Sequence, residues 1–188
     1  MTYDILLVGV GGQGVLSLAA IIAESAMKEG LKVRQSEVHG MSQRGGGVQA
    51  HLRISDSVIA SDLIPSGKAD MILSMEPLES LRYLTWLKPE GVVVTSAEPF
   101  INIDNYPATE TIYATIKKMP KAYIVKTSEL AKEAGNVKTE NMVLIGAALK
   151  YLPLKKETIE KSVHNRFAIK DPKLVDINMK ALELGANS

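Results

Sequence analysis

The chain has 188 residues, with 22 lysines and arginines against 21 aspartates and glutamates and a formal net charge of +1. This length suits one domain over residues 1–188 with a sizeable core, and the balanced charge excludes a bulk electrostatic attraction to nucleic acid or to a membrane surface. Cysteine is absent, so the chain can form no disulfide and bind no iron–sulfur cluster through thiolates, and we expect a cytoplasmic location.

The first predicted strand leads into a glycine cluster. Residues 5–8 form an apolar run that suits a strand buried on both faces, as in a parallel sheet. Gly9, Gly11 and Gly14 follow the G-x-G-x-x-G spacing. In that motif the first glycine permits a tight turn, the second a close approach to the backbone, and the third close packing of helix and strand. A helical pattern follows over residues 15–27. The predicted helix therefore begins at the glycine cluster with free backbone N–H groups and the positive end of its dipole, which suit an anion such as phosphate. The alternative is a turn whose glycines serve packing alone.

The next segment does not continue a dinucleotide-binding fold. A second strand is predicted at residues 32–38, where Glu37 lies near the expected position of a ribose-binding acid. Residues 39–47 then form a long, polar, glycine-rich loop in place of a crossover helix. Apolar and polar residues alternate over residues 48–55, which predicts a strand that is antiparallel or at an edge, with His51 facing solvent or a partner. The standard NAD topology is therefore broken at its second unit.

Strands and helices alternate through the rest of the chain. We predict strands at residues 69–75, 91–95 and 122–126 and helices at residues 77–87, 109–118, 139–149, 155–167 and 172–185. Pro77 opens the first of these helices and Thr109 caps the second. No apolar run reaches the roughly 18 residues of a membrane helix, and the N-terminus lacks a signal-peptide pattern. The pattern predicts an α/β fold: a Rossmann-like, mainly parallel sheet with helices on both faces and an antiparallel or edge strand after the glycine-rich loop.

Three segments together carry a resemblance to a known family. They are the glycine cluster at residues 9–14, the run at residues 37–46 and the alternating strand at residues 48–55. The combination resembles the gamma-type domain of the 2-oxoacid:ferredoxin oxidoreductases and, within that family, the beta subunits of the indolepyruvate type. The similarity extends through residues 69–77, 141–148 and 181–185 and covers essentially the whole chain. The glycine cluster alone occurs in many folds, whereas its combination with the Ser-Gln-Arg-Gly-Gly loop is specific.

The resemblance implies a subunit of an enzyme that oxidatively decarboxylates a 2-oxoacid, with indolepyruvate or another arylpyruvate as the expected substrate. A 2-oxoacid and coenzyme A would give an acyl-CoA, carbon dioxide and two electrons for ferredoxin. In this family thiamine diphosphate and 4Fe–4S clusters carry the chemistry, and in the indolepyruvate type they belong to a large alpha subunit, the expected partner. The absence of cysteine agrees with that division. Equivalent subunits of pyruvate, branched-chain 2-oxoacid or 2-oxoglutarate enzymes are the alternatives.

The same resemblance points to a candidate site. The glycine turn would place a phosphate of coenzyme A, or the edge of the partner's active site, against outward amides of Gln13 and Gly14, with the Gln13 side chain at the rim. Arg44 is the preferred anion-binding side chain because its guanidinium pairs bidentately; the alternative is a bond to loop carbonyls or to a partner carboxylate. The candidate cofactor-binding residues are Gly9, Gly11, Gly12, Gln13, Gly14, Ser42, Gln43 and Arg44. No catalytic residue is assigned, and we expect no cofactor to be held by this chain alone.

Two other function classes stay open. One is an independent NAD- or flavin-dependent oxidoreductase built on the same glycine turn, and the other is an assembly subunit that contacts neither substrate nor coenzyme A. His39 is more typical of a loop hydrogen bond than of a general acid or base, because no catalytic partner accompanies it. The histidines at positions 39, 51 and 164 lack metal-ligand spacing, so we expect no metal site.

Overall fold

The computed structural model of the protein describes residues 1–39, 45–169 and 171–188. Its strands are β1 (Thr2–Val10), β2 (Lys32–His39), β3 (Gly47–Ser55), β4 (Ala69–Ser74), β5 (Leu87–Ser96) and β6 (Ala122–Val125). Its α-helices are α1 (Val15–Lys28), α2 (Pro77–Arg82), α3 (Thr109–Ile116), α4 (Thr127–Ala134), α5 (Glu140–Ala148), α6 (Lys156–Ala168) and α7 (Pro172–Ala186). Among the described residues, no helix is both long enough and apolar enough to cross a membrane.

A single sheet joins the strands of the described ranges in the order β2-β3-β1-β4-β5-β6. β1, β4, β5 and β6 pair in parallel, whereas β3 runs antiparallel to both of its neighbours, β1 and β2. The predicted α/β sheet with helices on both faces is confirmed, and so is the antiparallel strand after the glycine-rich loop. β3 lies inside the sheet, and the edge position belongs to β2. The extent of the domain, residues 1–188, stays a prediction.

Alternate residues of β1 divide the core between the two faces of the sheet. Ile5 and Leu7 face the cluster that contains α1, α5, α6 and α7, whereas Leu6 and Val8 face a smaller cluster near α2. All four side chains are fully buried, as predicted for a strand inside a parallel sheet. β1 therefore leads into a helix on one face, and its parallel neighbour β4 leads into a helix on the other.

The polar face of β3 is covered by the loop at residues 56–68, so the prediction that His51 faces solvent or a partner is wrong. His51 is 3% exposed, and its Nδ1 accepts a hydrogen bond from the Ile64 N–H at 3.0 Å. Arg53 pairs with Asp4, with Nε and Oδ1 2.9 Å apart, and donates to two carbonyl groups of the same loop at 3.1 Å. His51 and Arg53, two polar residues of the alternating strand, thus bind loop backbone instead of water.

The segment between α2 and β5 differs from its prediction. The helix opened by Pro77 ends at Arg82, and residues 84–86 form a 3-10 turn before β5 begins at Leu87. Pro89 falls where the register between β4 and β5 is irregular. A residue without an N–H is tolerated at such an irregularity because no ladder hydrogen bond is lost. The strand therefore starts earlier than its purely apolar part.

Two helix predictions also need correction. The sequence analysis missed α4, whose eight residues bury Ala131 and Ala134 and which ends at Gly135 with φ of 114°. A helix this short offers too few residues for a clear period. Thr109 is not the cap of α3, because the N-cap is Ala108 and no side chain caps that helix.

α5 and α7 cross in contact at a pair of glycines. A Cβ on Gly146 would lie 2.1 Å from the Leu182 carbonyl oxygen, and one on Gly185 would lie 2.0 Å from the Val143 carbonyl oxygen. Only a hydrogen atom fits at either position. α5 also packs against α1, so this crossing supports the helix that begins at the glycine turn.

Candidate functional site

The candidate site is the turn between β1 and α1, residues 11–14. Two of its glycines have backbone conformations that favour glycine, with φ of 103° at Gly12 and 87° at Gly14. Gly14 is the N-cap of α1, so this left-handed residue turns the chain from the strand into the helix. A Cβ on Gly12 would meet no described atom within 4 Å. Another molecule can therefore approach the backbone at Gly12.

Gln13 holds the turn closed. Its Oε1 accepts a hydrogen bond from the Val10 N–H at 2.7 Å, and its Nε2 donates to the carbonyl of Met75, just after β4, at 3.2 Å. Its own N–H donates to the Val10 carbonyl at 3.1 Å. The expected outward amide and rim position of Gln13 are thus corrected, because both its amide groups bond within the fold. Contact of Gln13 with a cofactor stays a prediction.

The first and third glycines of the motif exchange their expected roles. A Cβ on Gly9 would lie 2.9 Å from Val15 Cγ2 and 3.0 Å from Met75 Cβ, so Gly9 is the glycine that close packing of strand and helix requires. Gly14 makes the tight turn, and a Cβ there would lie 3.2 Å from Asn141 Nδ2. The spacing predicts the turn correctly but not the role of each glycine.

Several backbone N–H groups cluster at this turn. Among the described residues, the N–H groups of Gly12, Gly14, Val15 and Leu16 have no hydrogen-bond acceptor. They lie at the N-terminal end of α1, a helix of 14 residues with its positive dipole end at this point. Clustered N–H groups at such a position suit an anionic oxygen, and a phosphate above all.

Two cavities flank the turn. The first, of about 370 Å³, is lined by the turn glycines, by the start of α1 including Leu16, and by Val48 of β3. The second, also of about 370 Å³, is lined by residues 12–14, by Met75 and by Val137, Lys138, Glu140 and Asn141 near the start of α5. Lys138 and Asn141 bring a positive charge and an amide donor to the anion-binding side. The sequence analysis missed both, because nothing in their segment links it to a turn so distant in the chain.

The turn lies at the carboxyl edge of the sheet, at a topological switch point. β1 leads to α1 on one face, β4 leads to α2 on the other, and Met75 after β4 contacts Gln13. In open α/β sheets, ligands bind in the crevice between two such loops. β3 separates β2 from β1, so Glu37 is not on the strand next to the turn, which argues against a dinucleotide ribose there.

The last residues of the glycine-rich loop meet this turn. The Gly11 N–H donates to the Gly46 carbonyl at 2.8 Å, and the Gly45 N–H donates to the Gly11 carbonyl at 3.3 Å. Asn102 Nδ2 donates to the Gly45 carbonyl at 2.7 Å, which brings the segment after β5 to the same place. The candidate residues Ser42, Gln43 and Arg44 lie outside the described residues, and so does the side chain of His39. Their assignment stays a prediction.

A buried carboxylate pair beside this edge was missed by the sequence analysis. Glu76, just after β4, accepts hydrogen bonds from the Glu79 N–H at 2.7 Å, from the Phe100 N–H at 3.3 Å and from the Tyr106 hydroxyl. Glu79 is also buried, and its Oε2 has no partner among the described residues. Burial raises the pKa of the Glu79 carboxyl, Arg82 opposes the rise, and Glu76 adds to it. Glu76 thus ties the segment after β5 to the end of β4.

The usual metal-binding side chains among the described residues are those of histidine, aspartate and glutamate. Within residues 1–39, 45–169 and 171–188, no group of three or more histidines, aspartates and glutamates could hold a metal ion. The chain has no cysteine, so a thiolate-bound iron–sulfur cluster does not fit it.

The fold and the glycine turn define an α/β protein with a candidate anion-binding site at the carboxyl edge of its sheet. Comparison with known proteins shows the family to which the chain belongs. Residues 4–188 match the profile of the pyruvate ferredoxin/flavodoxin oxidoreductase family, and the chain belongs to that family. The sequence is 43% identical over 196 residues to indolepyruvate oxidoreductase subunit IorB of Pyrococcus horikoshii, which covers 99% of this chain and 95% of that protein. The chain is a subunit of a 2-oxoacid:ferredoxin oxidoreductase of the indolepyruvate type, as the sequence analysis predicted.

Solved structures agree on the fold. A keto/oxoacid ferredoxin oxidoreductase gamma subunit from Geobacter sulfurreducens is 25% identical with a TM-score of 0.72, covering 98% of this chain and 96% of that one. The 2-oxoglutarate:ferredoxin oxidoreductase from Magnetococcus marinus, solved with 2-oxoglutarate, coenzyme A and succinyl-CoA bound, gives a TM-score of 0.77 at 20% identity. That match covers 99% of this chain but 30% of the other. The same fold thus occurs both as a separate subunit and as part of a longer polypeptide.

Proposed function

We propose that this chain is the beta subunit of an enzyme that oxidatively decarboxylates indolepyruvate and related arylpyruvates in the cytoplasm. The 2-oxoacid anion and coenzyme A give an acyl-CoA, carbon dioxide, one proton and two electrons, which pass to ferredoxin. The observation that carries the proposal is the 43% identity to an indolepyruvate oxidoreductase subunit over 99% of the chain. Pyruvate, branched-chain 2-oxoacids and 2-oxoglutarate are the alternative substrates.

The proposal assigns the redox cofactors to a large alpha subunit. Without cysteine this chain cannot hold 4Fe–4S clusters through thiolates. Thiamine diphosphate on the same partner supplies the carbanion chemistry that decarboxylation needs. The part of this chain is then to bind and orient an anionic group at the boundary with that partner, and ferredoxin is reached through the complex.

The anionic group assigned to the glycine turn is a phosphate of coenzyme A. The N–H groups of Gly12, Gly14, Val15 and Leu16 have no acceptor among the described residues, and they surround the positive end of α1. Lys138, which lines the second cavity beside the turn, adds a positive charge; Glu140 lines the same cavity, and burial raises the pKa of its carboxyl, which opposes a negative charge there. Phosphate oxygens accept several hydrogen bonds at once, so this arrangement favours them over a neutral ligand.

The substrate assignment is tested with the reconstituted complex of both subunits. We expect kcat/KM for indolepyruvate to exceed that for pyruvate, 2-oxoisovalerate and 2-oxoglutarate by at least about tenfold, with a viologen dye as electron acceptor. The control is this chain purified alone, which we expect to be colourless and inactive with every substrate. A preference for one of the other 2-oxoacids would overturn the indolepyruvate assignment, and turnover by the isolated chain would overturn the division of cofactors.

The site assignment is tested by Gly12→Ala in the same complex. The added methyl group projects into open space where coenzyme A would approach, so we expect the KM for coenzyme A to rise about tenfold while the KM for indolepyruvate stays unchanged. Gly30→Ala is a matched control. Gly30 also has a positive φ, 77°, and open space around its Cβ position, but it lies between α1 and β2, away from the turn.

Both substitutions strain a left-handed backbone by a similar amount, about 1 kcal/mol. A rise in the KM for coenzyme A that both variants share therefore reflects lower stability. A rise that occurs only in Gly12→Ala reflects weaker binding of coenzyme A. Equal KM values for coenzyme A in the two variants and the wild type would show that the glycines of the turn serve packing alone.

A further inference from the structure

Exposed apolar side chains surround the glycine turn. We propose that five of them, named here the apolar rim, form the docking face for the cofactor-bearing subunit; the inference rests on the proposed function. The apolar rim consists of five side chains that are each at least 40% exposed: Leu16, Val38, Phe100, Ile101 and Val137. They come from four separate stretches of the chain, and the fold brings them to one edge of the sheet.

Two members of the rim line cavities beside the turn, and a third is linked to the turn through its neighbour in the chain. Leu16 lines the first cavity with Gly12, and Val137 lines the second cavity with the same glycine. Ile101 precedes Asn102, whose side chain bonds the Gly45 carbonyl, and the Gly45 N–H in turn bonds the Gly11 carbonyl.

The other two members extend the rim to either side. The Phe100 N–H bonds the carboxylate of Glu76, just after β4. Val38 lies one residue from the end of β2, which is parallel to β1 because β3 is antiparallel to both. All five therefore lie at the carboxyl edge of the sheet.

The physical chemistry of this edge suits a partner surface. Exposed apolar side chains are common singly, but when they group around a cleft they mark interaction sites, because their removal from water stabilises association. The part of an interface that is fully removed from water is mostly apolar, and a limited number of hydrogen bonds within it gives specificity. Here the polar groups are the backbone donors of the turn. A subunit covering the rim would exclude water from those donors and so strengthen their bonds to a phosphate.

The occupant we commit to is the polypeptide that carries the redox cofactors. The same fold makes up 30% of the chain of the Magnetococcus marinus enzyme, so there it is joined covalently to a longer polypeptide. Under the proposed function, coenzyme A bound at the turn has to react at the thiamine diphosphate that the partner holds, because this chain itself carries no redox cofactor. The ligand-binding edge is the part of this chain that has to meet the partner, and the rim lies on that edge.

The test measures binding of charged variants to the separately purified large subunit by sedimentation velocity. Ile101 is 71% exposed, so Ile101→Glu leaves the fold intact, and Val137→Glu provides a second variant at another point of the rim. A buried unpaired carboxylate opposes association, so we expect each variant to raise the Kd roughly 100-fold. Val58→Glu is the matched control. Val58 is 79% exposed and follows β3 at the opposite edge of the sheet, and we expect wild-type affinity.

Two outcomes would overturn the inference while the proposed function stands. One is wild-type affinity in both rim variants together with normal turnover. The other is a wild-type chain that dimerises alone and becomes monomeric on Ile101→Glu, which would make a second copy the occupant. If the wild-type chain fails to bind the large subunit at all, the function and the inference fail together.

Discussion

His51 shows how one buried side chain holds a loop in place. Its Nδ1 accepts a hydrogen bond from the Ile64 N–H at 3.0 Å, so a neutral ring carries its proton on Nε2. The side-chain amide of Gln49 lies 2.5 Å from that Nε2. The Gln49 atom placed there is Nε2, and two donors cannot share a hydrogen bond, so we expect the amide to be rotated by 180° with its carbonyl oxygen facing the ring.

This arrangement predicts a loss of stability in mild acid. Burial lowers the pKa of His51, with Asp62 and Asp4 raising it and Arg53 lowering it further. The unfolded chain therefore binds the proton more tightly than the folded chain does. The contribution of neutral His51 to the free energy of unfolding is complete above the pKa of the unfolded chain, about 6.5. It is lost as the pH falls through the lower pKa of the folded chain. For one proton the loss is at most about 1.4 kcal/mol per pH unit.

Urea unfolding of the wild type and of His51→Gln between about pH 7.5 and pH 5 checks this prediction, and the variant should lose less stability on acidification than the wild type. His164→Gln is the control, because His164 is exposed on α6 and should leave the pH dependence unchanged. Parallel pH profiles for the wild type and His51→Gln would contradict the prediction.

No feature of the sequence around His51 distinguishes a covered polar face from a wet one. Alternation of apolar and polar residues over residues 48–55 correctly predicts the strand. The hydrogen-bond partners of His51 and Arg53 lie in the following loop. The Ile64 N–H donates to His51, and two carbonyl groups accept from Arg53. Backbone partners leave no trace in side-chain patterns, so this half of the environment has to come from the structure.

At the level of elements, the crossing of α5 and α7 depends on close backbone contact. Each glycine at the crossing lies where a Cβ would be little more than 2 Å from a carbonyl oxygen of the other helix. In an isolated helix, alanine is favoured over glycine by about 1 kcal/mol. Here the order reverses, because a methyl group has to push the two helices apart.

We expect Gly146→Ala and Gly185→Ala each to destabilise the protein by at least about 2 kcal/mol, since overpacking of this kind moves backbone and not a flexible side-chain end. Differential scanning fluorimetry should show a Tm lower by about 4–8 °C. Glu183→Ala is the control, because Glu183 is exposed on α7 and its replacement should change stability by less than about 0.5 kcal/mol. A Tm equal to the wild type in both glycine variants would show that the helices separate without cost.

Most elements were predictable because their apolar runs or periods are long. β1 follows its continuous apolar run, which is buried on both faces, and α1 follows its apolar spacing of three to four residues. α4 was missed because it has eight residues, and the end of α2 was misplaced because an apolar stripe continues into the 3-10 turn and β5. Period alone cannot separate a helix from a strand over so few residues.

At the level of the whole molecule, the sequence predicted the family and the glycine turn, but not the residues that surround that turn. The glycine spacing predicts the turn, since few residues other than glycine adopt the φ values at Gly12 and Gly14. Lys138 and Asn141 complete the second cavity from the start of α5, and Glu76 anchors the segment after β5. These contacts join distant parts of the chain, and only the folded sheet brings them together.

The position of β1 has a consequence for how the chain folds. β1 is the first strand in the chain, yet its partners in the sheet are β3 and β4. Ile5 pairs with Leu52 on one side and with Met71 on the other, so both pairings form only after much more of the chain is present. Long loops must close before either ladder forms, which places this chain among slow folders. Until then the apolar run at residues 5–8 is an unpaired strand in an incomplete chain. We conclude that β1 is open to aggregation during folding until β3 and β4 have been made, and that a chaperone would protect it by covering this apolar run.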